Sequence, residues 1–170
     1  MDLTEAINKR RSIRSYKDKP VEEKKLREVL EAGRIAPSAS NLQDWKFIVI
    51  KNKETIKKLA EASNSQGFIA EAPVVVVCCS TNPARKMPCG QPSGPVDISI
   101  ATTQMMLKAV EEGLGTCWIG AFNEGKVKKI LDIPDNTVAV ALFPLGYPKE
   151  DPSPRPRKDF EEVFTFEKWQ

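Results

Sequence analysis

The chain has 170 residues, of which 41% are hydrophobic, and its 26 basic and 23 acidic side chains give a formal net charge of +3. This length fits one domain with a real core, and the weak, unclustered charge excess argues against a dedicated nucleic-acid binder. The chain contains no histidine, which excludes Ser-His and Cys-His catalysis and the usual zinc hydrolase sites. We expect no membrane span, because no apolar run approaches about 18 residues, and no signal peptide, because the N-terminus "MDLTEAINKRRS" lacks an apolar core.

The first predicted helix begins at Asp2, whose carboxylate is suited to cap it. Leu3 and Ile7 mark an apolar stripe, and Arg10 and Arg14 continue that stripe at helical spacing. We therefore expect both arginines to point inward.

The other predicted elements alternate incompletely between helix and strand. In chain order they are a helix at 21–36 ended by Pro37, a strand at 45–50, a helix at 53–62, a buried strand at 72–79, a loop at 80–95, a helix at 96–112, a short strand at 116–120, a helix from Asn123 to Leu131 and a strand at 137–146. This order predicts an α+β fold, with a mixed central sheet in a three-layer sandwich. We expect one domain spanning residues 1–170.

Two segments are too apolar for the outer surface of so short a chain. The helix at 96–112 carries no charge between Asp97 and Lys108, which indicates burial on most sides and favours a homodimer. The tail contains Phe160, Val163, Phe164, Phe166 and Trp169. We expect residues 150–170 to form an arm that packs on the partner subunit.

The four cysteines are Cys78, Cys79, Cys89 and Cys117, and they form no Cys-x-x-Cys pair. Neither a disulfide framework nor a zinc site is indicated. Free thiols favour a reducing compartment, so we expect a cytoplasmic protein in which Cys89 is the most exposed of the four.

The motif "RRSIRSY" at 10–16 concentrates positive charge near the start of the chain. Cations at a helix C-terminus stabilise it by about 0.3–1 kcal/mol, which is one explanation. The alternative is an anionic ligand, because an inward-facing guanidinium requires a partner. Arg155 and Arg157 form a second group in the tail. Arginine matches phosphate well, so both groups could converge on one phosphate.

The loop "PSASNLQDW" admits two interpretations. It is either an ordinary helix stop and turn, or a set of polar groups that reads the edge of a flat heterocycle. Ser38, Ser40, Asn41 and Gln43 would supply those groups beside Trp45.

Six motifs in order, "RRSIRSY", "APSASNLQDWKFIVI", "AEAPVVVV", "EGLGTCWIG", "FPLGYP" and "RPRKDFEEVF", resemble those of the FMN-dependent nitroreductases. The resemblance covers nearly the whole chain. It implies an α+β homodimer with two FMN sites at the subunit interface, with FMN as cofactor and NAD(P)H as co-substrate. It also implies that hydride passes through flavin N5 to a nitroaromatic or a quinone, without a catalytic side chain or a metal.

The resemblance also implies which residues bind the cofactor. Arg10, Arg11 and Ser12 would lie at the phosphate and ribityl chain, Arg14 near the N1–C2=O edge, and Arg155 and Arg157 over the phosphate. The residues expected to reach the flavin from the other subunit are Pro37, Ser38, Ala39 and Asn41, and Gln43 would lie nearby. Gln66 would touch the ring, and the backbone of Gly120 and Ala121 would approach N5.

Two points leave alternatives open. Asp44 stands where family members often have proline, which adds a carboxylate near the site and could alter acceptor preference. The loop at 80–95 could form a wall of the substrate cleft. The alternatives to the reductase are a non-catalytic flavin-binding protein, or a dehalogenase or flavin-fragmenting enzyme on the same scaffold.

Overall fold

The computed structural model describes residues 1–64 and 66–169. Its helices are α1 (Leu3–Lys9), α2 (Glu23–Arg34), α3 (Lys53–Ala62), α4 (Ser93–Glu111), α5 (Glu124–Leu131) and α6 (Phe160–Val163), with short 3-10 turns at Ala39–Asn41 and Gly67–Glu71. Its strands are β1 (Trp45–Ile50), β2 (Val74–Ser80), β3 (Gly115–Thr116) and β4 (Val138–Gly146). Among these residues no helix is long and apolar enough to cross a membrane.

The four strands form one sheet in the order β1-β2-β4-β3, and every neighbouring pair is antiparallel. Helix α3 returns the chain to the end of the sheet where β1 finishes, so Ile50 lies opposite Val75. The α+β class is confirmed. The expected mixed sheet is wrong for the strands, which all pair antiparallel. In the described part of the chain, parallel pairing is limited to one isolated bridge between Ser12 and Thr116.

Strand β2 is the centre of the core, since all of its residues are buried. Alternate side chains of a strand point to opposite faces of the sheet. Val75 and Val77 accordingly pack in a cluster with residues of α3 and α5, whereas Val74 and Val76 pack with residues of α2 and α4. The sheet therefore lies between two helical layers, which confirms the three-layer sandwich.

Helix α4 is buried along one side only. Ile98 and Met105 are fully buried, but Val96 and Ile100 keep 38% and 36% of their surface exposed. A single chain therefore leaves part of the uncharged stretch between Asp97 and Lys108 of this helix, and Val96 before it, uncovered.

Helix α1 is shorter than the periodicity predicts. Asp2 caps it as expected, with Oδ1 accepting from the Glu5 N–H at 2.7 Å. The helix ends at Lys9, where Arg10 leaves helical geometry with ψ near 124°. The predicted extension of its stripe to Arg14 is wrong, because the backbone after Arg10 pairs with β3 instead.

Gly94 provides a test of the packing between α4 and β2. A Cβ added there would lie 2.8 Å from the Cβ of Ser80, which cannot rotate away. We expect Gly94→Ala to lower the free energy of unfolding by about 1–3 kcal/mol, despite the better helix propensity of alanine. Urea denaturation at fixed protein concentration measures this change. Gly125→Ala in α5 is the control, because its added Cβ meets nothing closer than 3.6 Å and should be neutral or stabilising. Equal effects of the two substitutions would contradict this packing.

Candidate functional site

The segment "RRSIRSY" runs extended along β3. The Ile13 N–H donates to the carbonyl of Thr116 at 2.9 Å, and the Ile13 side chain packs against Gly115, where a Cβ would lie 2.6 Å from its Cγ1. Tyr16 is buried, and its hydroxyl donates to the carbonyl of Ile13 at 2.7 Å. Burial raises the pKa of Tyr16, so this hydroxyl stays protonated. Ile13 and Tyr16 thus anchor the segment in the protein.

The tail returns to the same place. Pro148 forms a bridge with Tyr16, and the Lys149 N–H donates to the carbonyl of Ser15 at 3.0 Å. The carboxylate of Glu150 accepts from the backbone N–H of Arg14. These contacts bring residues 152–157 beside the first arginine group.

One cavity of about 650 Å³ is lined by both arginine groups. Arg10, Arg11 and Arg14 contribute from the start of the chain, and Arg155 and Arg157 contribute from the tail. Ser12 lies in the same wall. Arg11 donates to the carbonyls of Asn8 at 2.6 Å and Arg10 at 2.9 Å, and Arg157 donates to that of Arg155 at 3.3 Å.

These five guanidinium groups are not neutralised by the described chain. Among residues 1–64 and 66–169, no carboxylate lies within 4.0 Å of any of the five. Like charges around one cavity repel, and a multivalent anion with several acceptor oxygens would relieve that repulsion. A phosphate monoester is such an anion.

The arginines are less enclosed than the sequence predicts. Arg10 and Arg11 are half-buried, while Arg14, Arg155 and Arg157 are exposed in the single chain. The expectation that Arg14 points inward is therefore wrong for one chain. That the cluster binds a phosphate stays a prediction.

The loop from Pro37 to Gln43 has an unusual backbone. Ser40, Asn41 and Gln43 adopt left-handed conformations, with φ of 54°, 54° and 56°. Such conformations at residues other than glycine cost of the order of 1–3 kcal/mol and require support. Within the loop, the Gln43 N–H donates to Ser38 Oγ at 3.0 Å, and Gln43 Nε2 donates to the carbonyl of Asn41 at 3.1 Å. The loop is thus held in a defined shape.

Two residues that support this loop were not predicted from the sequence. Asp97, which is only 4% exposed, accepts from the Ala39 N–H at 3.0 Å. Arg85 donates to the carbonyl of Ala39 at 3.3 Å. In the sequence, only the position of Asp97 at the start of the uncharged part of α4 indicates a buried carboxylate that needs a hydrogen-bond donor. Asp44 lies 3.6 Å from Arg85, so its expected negative charge is compensated locally.

A third group of predicted residues lies where the end of α3 meets the start of α5, at which the Asn123 N–H donates to the carbonyl of Ala62. Gln66 Nε2 donates to the carbonyl of Ser63 at 3.0 Å and to that of Ala121 at 3.2 Å, while Gly120 and Ala121 are exposed. Neither this group nor the loop at 37–43 lines the arginine cavity. The predicted site residues therefore form three separate groups in one chain. Ser65, which belongs to the predicted ring-contacting segment 64–67, lies outside the described residues.

The cysteines differ sharply in exposure. Cys89 is exposed, whereas the other three are buried. Burial raises the pKa of Cys78 to about 12 and that of Cys79 to about 11. Burial also raises the pKa of Cys117, against the opposing effects of Arg14 and of the Ser12 hydroxyl.

Alkylation checks this difference. At pH 8 with iodoacetamide, we expect rapid modification of Cys89 and slow modification of Cys78, Cys79 and Cys117, because a buried thiol is both inaccessible and protonated. Peptide mass spectrometry over time gives the four rates, and Cys89→Ser should abolish the fast phase. Fast labelling of Cys117 in the folded protein would contradict its placement behind Ser12.

The fold defines a class of α+β protein in which a four-stranded sheet lies between two helical layers. Residues from near both ends of the chain line one arginine-rich cavity. The sequence model of the nitroreductase family matches residues 7–67 and 62–147. The chain therefore belongs to the nitroreductase family.

Individual relatives agree with this assignment. The chain is 34% identical over 196 residues to the NADH dehydrogenase of Thermus thermophilus, covering 96% of this chain and 95% of that one. It is 30% identical over 179 residues to the FMN reductase [NAD(P)H] of Bacillus subtilis, covering 95% and 72%. The crystal structure of a nitroreductase family protein from Clostridium difficile superposes with a TM-score of 0.90 at 33% identity, covering 99% and 100%.

Proposed function

We propose that this protein is an FMN-dependent oxidoreductase that transfers reducing equivalents from NAD(P)H to an electron-poor acceptor, a nitroaromatic or a quinone. The observation that carries the proposal is the arginine cavity, whose guanidinium groups form no ion pair with a carboxylate of residues 1–64 or 66–169. Membership of the nitroreductase family and the similarity to an FMN reductase support the choice of FMN as the anion. The free cysteines fit a reducing, cytoplasmic location.

The residues around the cavity fit the phosphate of FMN. That phosphate carries about −1.5 to −2 charges near neutral pH, which matches a cluster of unneutralised guanidinium groups. Each charge-assisted hydrogen bond contributes about 1.5–3 kcal/mol. Arg10, Ser12, Arg155 and Arg157 would hold the phosphate, with Ser12 adding a hydroxyl donor. Arg11 would contribute charge at longer range, since its guanidinium donates to two carbonyls at 2.6 and 2.9 Å, whereas the two carbonyls that Arg157 meets lie farther away, at 3.3 and 3.2 Å.

The rest of the chain would orient the ring. When bound, FMN supplies hydride acceptance and donation at its N5 atom. Arg14 would lie against the N1–C2=O edge, where a fixed cation stabilises negative charge on the ring. Gly120 and Ala121 would present backbone groups toward N5. Residues 37–39 and 41 would contact the flavin of the neighbouring subunit, and Gln43 would lie nearby.

A homodimer accounts for the uncovered apolar surface. On α1, which packs against α4, Leu3 and Ile7 are 69% and 54% exposed, and Val96 and Ile100 of α4 are also exposed. In the tail, Phe166 and Trp169 are 74% and 96% exposed. Such surface is unusual for a monomer. We infer that α1 and α4 form the interface and that residues 150–169 pack on the partner; Gln170, the last residue of the predicted arm, lies outside the described residues.

Reconstitution tests the proposed activity. The protein incubated with FMN and then desalted should be yellow, lose its absorbance near 450 nm on anaerobic addition of NADH or NADPH, and recover it with a quinone or a nitroaromatic. Yellow protein inert to both nicotinamides would favour the non-catalytic flavin-binding alternative. Irreversible loss of the flavin spectrum in oxygen would favour the flavin-fragmenting alternative, and reductive release of halide would favour the dehalogenase. Protein that does not retain FMN would overturn all of these functions.

Paired arginine variants test the phosphate site. We expect Arg10→Ala to weaken FMN binding at least tenfold, and Arg11→Ala to weaken it less, because the Arg11 guanidinium already bonds to backbone carbonyls. Flavin fluorescence quenching gives both dissociation constants. Riboflavin is the matched control, since it lacks the phosphate and should bind both variants as it binds the unaltered protein. Equal FMN affinities for the two variants would contradict the proposed role of Arg10.

The dimer is tested by charge insertion. Ile100→Asp should shift the protein from two chains to one, because dimerisation would bury an unpaired carboxylate. Size-exclusion chromatography with light scattering reports the mass. Lys129→Asp on α5, in the opposite helical layer, should leave the dimer intact. A monomeric unaltered protein at micromolar concentration would refute the dimer.

A further inference from the structure

The Ala39 peptide groups are held from two sides by other parts of the chain. The buried carboxylate of Asp97 accepts from the Ala39 N–H at 3.0 Å. On the other side, Arg85 Nη1 donates to the Ala39 carbonyl and Nη2 donates to Ser40 Oγ, both at 3.3 Å. These contacts fix the residue immediately before the left-handed pair Ser40 and Asn41.

The same guanidinium also reaches the far end of this loop. Arg85 Nη1 lies 3.6 Å from Oδ2 of Asp44, the residue that immediately precedes β1, and both side chains are only 23% exposed. Asn82 Nδ2 donates to Asp44 Oδ2 at 3.3 Å, and the Thr81 N–H donates to the carbonyl of Asp44 at 3.1 Å. Arg85 thus contacts both Ala39, within the loop at 37–43, and Asp44, the residue that follows this loop.

The backbone around Arg85 is itself well fixed. The Ser93 N–H donates to the carbonyl of Arg85 at 3.1 Å, and Lys86 forms a bridge with Pro92. The Met87 N–H donates to the carbonyl of Gln91 at 2.8 Å, which closes the segment 81–92 on itself. Because this segment leads directly into α4, which also carries Asp97, both supports of Ala39 belong to one rigid part of the fold.

We propose that Arg85 is a positioning residue that holds the loop at 37–43 in its observed conformation, with Ser40, Asn41 and Gln43 left-handed, and so sets the affinity of the protein for flavin. The second half of this inference rests on the proposed function, because it takes FMN as the ligand that the loop contacts. Without Arg85 the strained loop populates other conformations, and the apparent flavin affinity falls in proportion to the fraction that remains competent. Asp44 is then part of this support, since its carboxylate pairs with Arg85.

Hydrogen exchange of the flavin-free protein tests the positioning role. In Arg85→Gln, we expect the amides of the peptide covering residues 38–43 to exchange at least tenfold faster than in the unaltered protein. Lys86→Gln is the matched control, because Lys86 is the exposed neighbour in the same segment and should leave these rates unchanged. Both variants should keep the thermal midpoint of the unaltered protein, which separates loss of positioning from loss of folding.

Flavin binding tests the consequence. Arg85→Gln should weaken FMN binding about tenfold and alter the visible circular dichroism of the bound flavin, while Lys86→Gln changes neither. Asp44→Asn should have a smaller effect, because Arg85 keeps its bonds to Ala39 and Ser40. The riboflavin affinity of Arg85→Gln should fall by the same factor as the FMN affinity, since this loop does not contact the phosphate cavity.

The two proposals fail in different ways. Unchanged exchange at residues 38–43 in Arg85→Gln would overturn the positioning role, whatever the protein does with FMN. An unaltered protein that does not bind FMN would overturn the proposed function, and the exchange rates would still decide whether Arg85 shapes the loop. Faster exchange without any change in flavin affinity would show that the loop does not set binding.

Discussion

The constraint on which the candidate site depends is the positive charge of five guanidinium groups around one cavity, which no carboxylate of the described residues pairs with. Two anchors in the N-terminal segment create it. Ile13 and Tyr16 are fixed against β3 and the core, which leaves Arg10, Ser12 and Arg14 at the cavity wall. The tail joins them because Pro148 and Lys149 bond to the same segment. An anion that binds only the folded state would stabilise that state by mass action.

The other residues predicted to contact the flavin lie in two groups away from the arginine cavity. The loop at 37–43 is supported by α4 and the segment 81–92, and Gln66 is bonded to Ala121. Neither group reaches the cavity within one chain. In the proposed function both groups contact the flavin ring, and a second copy of the chain, docked through α1 and α4, would supply the loop.

Asp44 connects the end of the loop at 37–43 to a distant part of the chain. A proline at this position would restrict the backbone before β1 by its ring geometry. Asp44 has no such ring, and its carboxylate is instead held by Arg85 and Asn82, while the same arginine reaches Ala39. Arg85, 46 residues from Ala39 in sequence, therefore contacts both this loop and the residue that follows it.

Local patterns in the sequence by themselves determined the elements whose signals are short-range. The strand Trp45–Ile50, the helix Lys53–Ala62 and the Asn123-capped helix that ends at Leu131 have the predicted bounds, because periodicity and capping act within a few residues. The tertiary structure alone decided the end of α1 at Lys9, the antiparallel direction of the strands and the contact of Arg85 with Ala39. Each of these depends on a partner far away in sequence, such as Thr116 for Ser12, and periodicity carries no information about such a partner.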